Sequence, residues 1–372
     1  MRVGVPKEIK LFEYRVGLTP DAVREFVAAG HEVLVETGAG SGIDACDAAY
    51  TAAGAEVVDT PAEVFARAQM IVKVKEPQSC EWVKLREGQI LFAYLHLAAG
   101  TELTRGLLAS GCTAVAYETV LGPDGASLPL LVPMSEVAGR LAIGAAGVAL
   151  ERTRGGRGLL LGGVPGVSPA RVAILGGGTV GTQAARMAAG LGADVVILDR
   201  SLSRLRWLDD LFQGRIRTRY ATMAAIEAEV LAADVTIGAV LVPGATAPKL
   251  VTRPMLSGMK KGAVLVDVAI DQGGCFATSR PTTHGDPTYI LDGIVHYCVA
   301  NMPGAVPLTA SHALAHATLP YGLALADGGL WALASDQGLR AGLNVHRGFL
   351  THKAVADSLG MAVSTPEAVL AA

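Results

Sequence analysis

The run VAILGGGTVGTQAARMAAGLGADVVILDR, from Val172 to Arg200, constrains this chain more than any other stretch. Apolar residues lead into Gly176-x-Gly178-x-x-Gly181, an alanine-rich segment of helical composition follows, and a second apolar run ends on Asp199. Strand, glycine turn, helix and strand in that order form a βαβ unit with parallel strands. Gly176 permits the tight turn, Gly178 lets a pyrophosphate lie against bare backbone, and Gly181 lets the helix pack close to the strand. The helix N-terminus presents unsatisfied N–H groups to phosphate. Asp199 stands eighteen residues past Gly181, where a ribose 2′-hydroxyl would lie. A carboxylate there repels a 2′-phosphate and so favours NAD, while the adjacent Arg200 leaves an opening for NADP. The bland alternative, a glycine turn with no ligand, does not account for the carboxylate at that spacing.

The same alternation runs through most of the chain. RVGVP (2–6) reads as a strand, TPDAVREFVAAG (19–30) as a helix capped by Thr19 with Pro20 in its first turn and Gly30 at its end, and HEVLVE (31–36) as a strand. Short apolar runs bridged by helices continue to about residue 118, which implies a parallel sheet with right-handed crossovers. The Gly/Pro-rich LGPDGASLP (121–129) marks a boundary, and a long helix follows from about Pro133 to Thr153. The second α/β run ends near VHYCVANMP (295–303), and beyond Pro307 the chain reads as helical. The expected architecture is α/β, with two doubly wound parallel sheets. One domain comprises residues 1–130 plus a returning segment 307–372, and the other residues 131–306.

Composition excludes several classes. At 372 residues the chain exceeds what one core usually serves. Hydrophobic residues at 51% against 17% charged argue against disorder. A net charge of -3 offers nothing to attract nucleic acid or an anionic membrane. The most apolar helical run carries Glu136, Arg140 and Glu151, too many charges for a membrane span. Five scattered cysteines without a CxxC pair read as free thiols in a reducing compartment, so cytoplasm is expected.

Chemistry-bearing side chains fall next to strand ends. In ILFAYLHLAAG (90–100), His96 is either a satisfied core histidine or a group waiting at a strand end for substrate. Arg15, Lys73 and Lys75 are cations near strand ends; a guanidinium grips a carboxylate bidentately and an ammonium adds a point charge. The alternation IVKVKEP puts Lys73 and Lys75 on one side, with Lys75 nearer the ligand-binding edge. LVDVAIDQGGCF places Asp267 at a strand end and Asp271 in the loop beyond, and Asn301 and Met302 follow the last strand of the second domain. His312 and His316 share a helix face, but no acidic or thiol ligand accompanies them, so no metal site is expected.

Taken together, VGVPKEIK…EYRVGLTP, IVKVKEP, LFAYLHLA, PMSEVAGRLA, GGGTVG, IGAVLVPGATAPKLV, AVLVDVAIDQGGCFATSRPTTH and YCVANMPGAVP give the chain a close resemblance to the bacterial alanine dehydrogenases over nearly its full length. The resemblance implies two Rossmann-like domains, a discontinuous substrate domain and an NAD domain, in a homo-hexamer. It implies reversible NAD-dependent oxidative deamination of L-alanine to pyruvate and ammonium, with small molecules as the only other partners. His96 and Asp271 would be catalytic, and Arg15 and Lys75 would bind the substrate carboxylate. Ser135, Thr179, Val180 and Asp199 would contact NAD, as would Arg204, Ala221, Val240 and Leu241. Val268, Ala269, Ile270, Asp271 and Arg280 would join them, with Val299, Ala300, Asn301 and Met302. Two other readings are weighed. The related NAD-binding component of proton-translocating transhydrogenase lacks a histidine in its counterpart of YLHLA, and a non-catalytic NAD-binding protein would have no use for Arg15, Lys75, His96 and Asp271 together.

Overall fold

The structure, a computed structural model, describes residues 1–240 and 247–371. The chain divides into two compact units, one formed by Met1–Met134 with Gly304–Ala372 and the other by Ser135–Pro303.

The first unit opens with strands β1 (Arg2–Val5), β2 (Glu32–Glu36), β3 (Glu56–Val58), β4 (Met70–Val72), β5 (Ile90–Ala93) and β6 (Thr113–Ala116). They are mutually parallel in the order β3-β2-β1-β4-β5-β6. The strand order reverses between β1 and β4, the place where open α/β sheets take ligands. The connecting helices follow local rules. Thr19 caps Pro20–Ala28 by accepting from the Ala22 N–H, and Gly30 completes the exit at φ 87°. Thr60 and Glu63 form a capping box at Pro61–Arg67. Beneath one sheet face Leu34, Phe65, Ile71, Leu91 and Leu107 form a continuous buried layer.

The second unit contains β7 (Arg171–Leu175), β8 (Asp194–Asp199), β9 (Arg217–Tyr220), β10 (Val235–Gly238), β11 (Val264–Asp267), β12 (Thr288–Leu291) and β13 (Ile294–Tyr297). Their order is β12-β13-β11-β10-β7-β8-β9, with the reversal between β7 and β10. Val172 and Ile174 enter one buried layer and Ala173 and Leu175 the other, the period-two pattern of a sheet covered on both faces.

Both sheets differ from the wholly parallel expectation at one edge. β12 pairs antiparallel with β13. In the first unit β14 (Leu343–His346) and β15 (Phe349–Leu350) add an antiparallel hairpin beside β6, where a purely helical tail was expected. The hairpin turns on Arg347 and Gly348, both at positive φ, as a tight two-residue turn requires. The returning segment also supplies the helix Pro307–Gly328, whose Ser311 hydroxyl accepts the Val16 N–H at 3.2 Å. Among the described residues no helix is long and apolar enough to cross a membrane, and no group of three or more His, Cys, Asp or Glu could hold a metal ion. All five cysteines are free thiols.

Candidate active site

In the first unit the residues of interest leave the C-terminal ends of β4 and β5. Beyond β5 the backbone at His96 takes a left-handed conformation, φ 50° and ψ 38°, which is strained for a residue with a Cβ. The Glu118 carboxylate compensates, accepting N–H groups from His96 at 2.6 Å and Leu95 at 3.1 Å. The turn leaves the ring exposed, stacked on Tyr94 at 5.9 Å, with Nε2 3.4 Å from Lys75 Nζ. His96 is therefore not a satisfied core histidine. The structure sets it beside an ammonium on an accessible edge.

The cations divide the work unequally. Lys73 is fully buried, with Nζ 2.8 Å from Glu81 and 3.2 Å from Glu8. Burial alone would lower its pKa, but the two carboxylates outweigh that and hold it above the ordinary lysine value. Of the pair in IVKVKEP, only Lys75 reaches the imidazole. Arg15 is 2% exposed and forms neither a surface salt bridge nor a simple open fork. Its Nε donates to Glu13 Oε1 at 2.6 Å and its second edge to Glu13 Oε2, while Nη1 faces the Met134 sulfur at 3.1 Å. Glu13 thus offsets part of the guanidinium's charge. Neither Glu13 nor Glu118 was singled out from sequence, since a carboxylate that serves another side chain carries no local motif.

In the second unit the glycine turn has the form a phosphate requires. Gly176 sits at φ 103°, where a Cβ would meet the Ala239 carbonyl oxygen at 2.7 Å, and a Cβ on Gly181 would lie 1.9 Å from the Gly176 oxygen. A Cβ on Gly178 would meet nothing within 4 Å, so space is open above the N-terminus of the helix Thr179–Gly190. Asp199 at the end of β8 accepts N–H groups from Gly177 at 2.7 Å and Ser201 at 2.8 Å. A hollow of about 260 Å³ opens beside it, walled by Gly176, Asp199, Ala221 and Val240 as well as Leu198, Ile226, Pro248 and Leu250. The last four were not anticipated, because an apolar wall looks like core in sequence. Leu241 lies outside the described residues. Arg204 donates to the Gly177 carbonyl at 2.5 Å and to Thr182 at 2.8 Å, and stacks 4.0 Å over Trp207, so it clamps the turn from below.

Ser135 lies in the first turn of the helix Val132–Ala149, and that helix is tied to Thr179–Gly190 through Arg140 to Gln183 and Gln183 to Glu136, both at 3.1 Å. Past β11, Asp267 is fully buried and accepts N–H groups from Ala269 and Phe276 at 3.2 Å, with the Ser279 hydroxyl as a further donor. It shapes the loop on which Asp271 is exposed. Val268 and Ala269 are half-buried there, and Ile270 is buried. Arg280 lies 4.2 Å over the Tyr289 ring. Asn301 takes φ 59°, its carbonyl accepting from or facing His284 Nε2 at 3.1 Å, and Ala300 donates to Thr282 at 3.2 Å. Val299 and Met302 are buried, so they can offer a ligand only backbone. The bare cradle at Gly178, the adjoining hollow and the carboxylate at its rim fit a dinucleotide.

Comparisons agree with this geometry. The family signature "Alanine dehydrogenase/PNT, N-terminal domain" matches residues 4–138, and "Alanine dehydrogenase/PNT, C-terminal domain" matches residues 142–353. The alanine dehydrogenase of Halomonas elongata is 59% identical over 97% of each chain. A solved L-alanine dehydrogenase superposes with a TM-score of 0.93 at 53% identity, covering 97% of this chain and 99% of that one. The transhydrogenase from Sinorhizobium meliloti is more distant, with a TM-score of 0.81 and 25% identity over 95% of this chain and all of that one. Family and fold together imply a nicotinamide cofactor. A strand order that reverses at β7 and β10, a glycine cradle and full-length identity above one half lead to one statement: the chain belongs to the alanine dehydrogenase/PNT family.

Proposed function

We propose that this chain catalyses the reversible, NAD-dependent oxidative deamination of L-alanine to pyruvate and ammonium. The observation that carries the reading is the exposed His96 ring with Nε2 3.4 Å from Lys75 Nζ, beyond the strand ends of the first sheet. The relatives named alanine dehydrogenase support the substrate. The first unit takes the amino acid and the second the nucleotide.

A nicotinamide held by the second unit would supply the acceptor for the hydride that leaves Cα of alanine. Lys75 supplies the charge that draws the substrate carboxylate, and Arg15, pinned by Glu13, supplies directed N–H groups. Fixing the carboxylate fixes where the Cα hydrogen points, which removes orientational entropy from the barrier. The ammonium of alanine first gives up a proton to the solvent, and loss of hydride from the neutral amine then leaves the protonated imine of pyruvate. His96 Nε2 accepts a proton from water as the oxygen bonds to the imine carbon and returns it to the nitrogen of the carbinolamine. As the C–N bond breaks the hydroxyl closes to the carbonyl and its proton passes, by way of the imidazole, to the departing ammonia, leaving pyruvate and ammonium. Asp271 assists proton transfer from its loop. Lys75 Nζ, 3.4 Å from Nε2, holds the ring's edge toward the substrate carboxylate.

For the nucleotide, Ser135 and the backbone of Gly178, Thr179 and Val180 hold the pyrophosphate, and Asp199 accepts from the ribose hydroxyls. Ala221 and Val240 would border the adenine, with Arg204 bracing the turn. The backbone of 268–271 and 299–302, with Arg280, serves the nicotinamide end. The Asp199 carboxylate supports NAD over NADP. A cytoplasmic homo-hexamer completes the proposal, supported by the family resemblance and the five free thiols.

The test is direct: protein, NAD and L-alanine at alkaline pH, followed by NADH absorbance. NADH formation dependent on alanine is expected. Hydride exchange between nucleotides without amino acid turnover would replace the reading with a transhydrogenase, and silence in both assays would leave only a binding protein.

A further inference from the structure

We propose that Glu8 is a positioning residue for Lys75, a role that rests on the deamination reading and deepens it. β1 ends at Val5 and its neighbour β4 at Val72. Past that point the segment 73–75 stays paired with the extension of β5: Lys73 N–H donates to Phe92 at 3.1 Å, and Tyr94 N–H to Val74 at 3.1 Å. On the other side β1 has ended at Val5. The Glu8 carboxylate fills that place. Oε1 accepts the Val74 N–H at 2.7 Å and the Lys75 N–H at 3.3 Å.

Its second oxygen lies 3.2 Å from the Lys73 ammonium, and Lys73 in turn is 2.8 Å from Glu81, which accepts the Gln78 N–H at 2.7 Å. One buried ammonium between two buried carboxylates therefore ties down both ends of the segment that carries Lys75. Such a cluster contributes little net stability, because desolvation offsets most of its attraction; apolar side chains would fill the volume as well. What apolar side chains would not provide is an acceptor for the Val74 and Lys75 N–H groups. The cluster thus fixes where the backbone of Lys75 points, and through it the 3.4 Å approach of Nζ to the imidazole.

The test compares Glu8→Ala, Glu8→Asp and Glu8→Gln by steady-state kinetics and by pyruvate binding to the NADH-loaded enzyme. Glu8→Gln keeps an oxygen for the two N–H groups and should retain a substrate KM within about twofold of wild type. Glu8→Asp draws the carboxylate back by one methylene, and Glu8→Ala removes it; each should raise the KM for alanine and the Kd for pyruvate about tenfold, with NADH affinity unchanged. In a Lys75→Ala background, Glu8→Ala should add no further loss of pyruvate affinity. A normal KM in Glu8→Asp, or losses that add in the double variant, would overturn the role. Should Glu8→Ala fail to fold, Glu8→Asp and Glu8→Gln carry the same comparison. If wild-type enzyme does not oxidise alanine, the deamination reading fails instead, and the two failures are distinguishable.

Discussion

Replacing Asp199 with asparagine removes one charge and almost no volume, and the structure sets what that should do to cofactor choice. In the native turn the carboxylate receives the Gly177 N–H on Oδ2 and the Ser201 N–H on Oδ1, so both oxygens already face backbone donors while their remaining lone pairs meet the hollow. Asparagine keeps one oxygen and turns an NH2 toward the other donor. The ribose of NAD then exchanges a charge-assisted hydrogen bond for a neutral one, a loss of about 1 kcal/mol. For NADP the change runs the other way. A carboxylate about 4 Å from a phosphate repels it by about 4 kcal/mol at an effective dielectric of 20. Asp199 is only half-buried, so solvent screening reduces this to about 2 kcal/mol. Together the preference for NAD should fall by about 3 kcal/mol, or roughly a hundredfold in the ratio of kcat/KM values. The exposed Arg200 at the rim of the hollow stands ready to meet the added phosphate. The assay is alanine-dependent reduction of each nucleotide by wild type and variant. If the two kcat/KM values fall in parallel and their ratio stays within threefold, Asp199 is shaping the turn and not reading the ribose.

Three further outcomes are expected. His96→Ala should abolish turnover while NAD affinity by fluorescence stays near wild type; loss of both would remove the ring from chemistry and make it structural. Gly181→Ala forces a methyl to within 1.9 Å of the Gly176 carbonyl, and the helix must shift, at about 3 kcal/mol of stability together with weaker NAD binding; an unchanged melting temperature would contradict the packing. His296 in the second unit and His346 in the first have pKa values lowered by burial. The unfolded chain therefore binds more protons than the folded one as pH falls through the ordinary histidine value of 6.5, and stability should decline below it. Melting temperatures from pH 8 to 5 should show the decline, and a slope that stays flat in wild type would refute it.

Residues that act locally were legible in the sequence, and residues that act through space were not. Thr19, Pro20 and Gly30 declare a helix because capping is settled within a few residues, and the three glycines and Asp199 are fixed by the short path from strand to helix to strand. The hairpin of β14 and β15 escaped notice because four residues have no periodicity of their own; LNVH becomes a strand by meeting the open edge of β6, more than two hundred residues upstream. Glu8, Glu13 and Glu118 were missed for a related reason. Each carboxylate is an ordinary charged residue in sequence, and only folding reveals that it is held against a cation or a backbone N–H.

The late arrival of that hairpin sets an order of events on the ribosome. The second unit, continuous from Ser135 to Pro303, holds all its strands before the first unit can close. Until residues 343–350 emerge, β6 presents a bare row of donors and acceptors, the kind of edge that recruits another nascent strand. A chain truncated shortly before Leu343 would carry β6 as an unpaired edge, open to pairing with another strand.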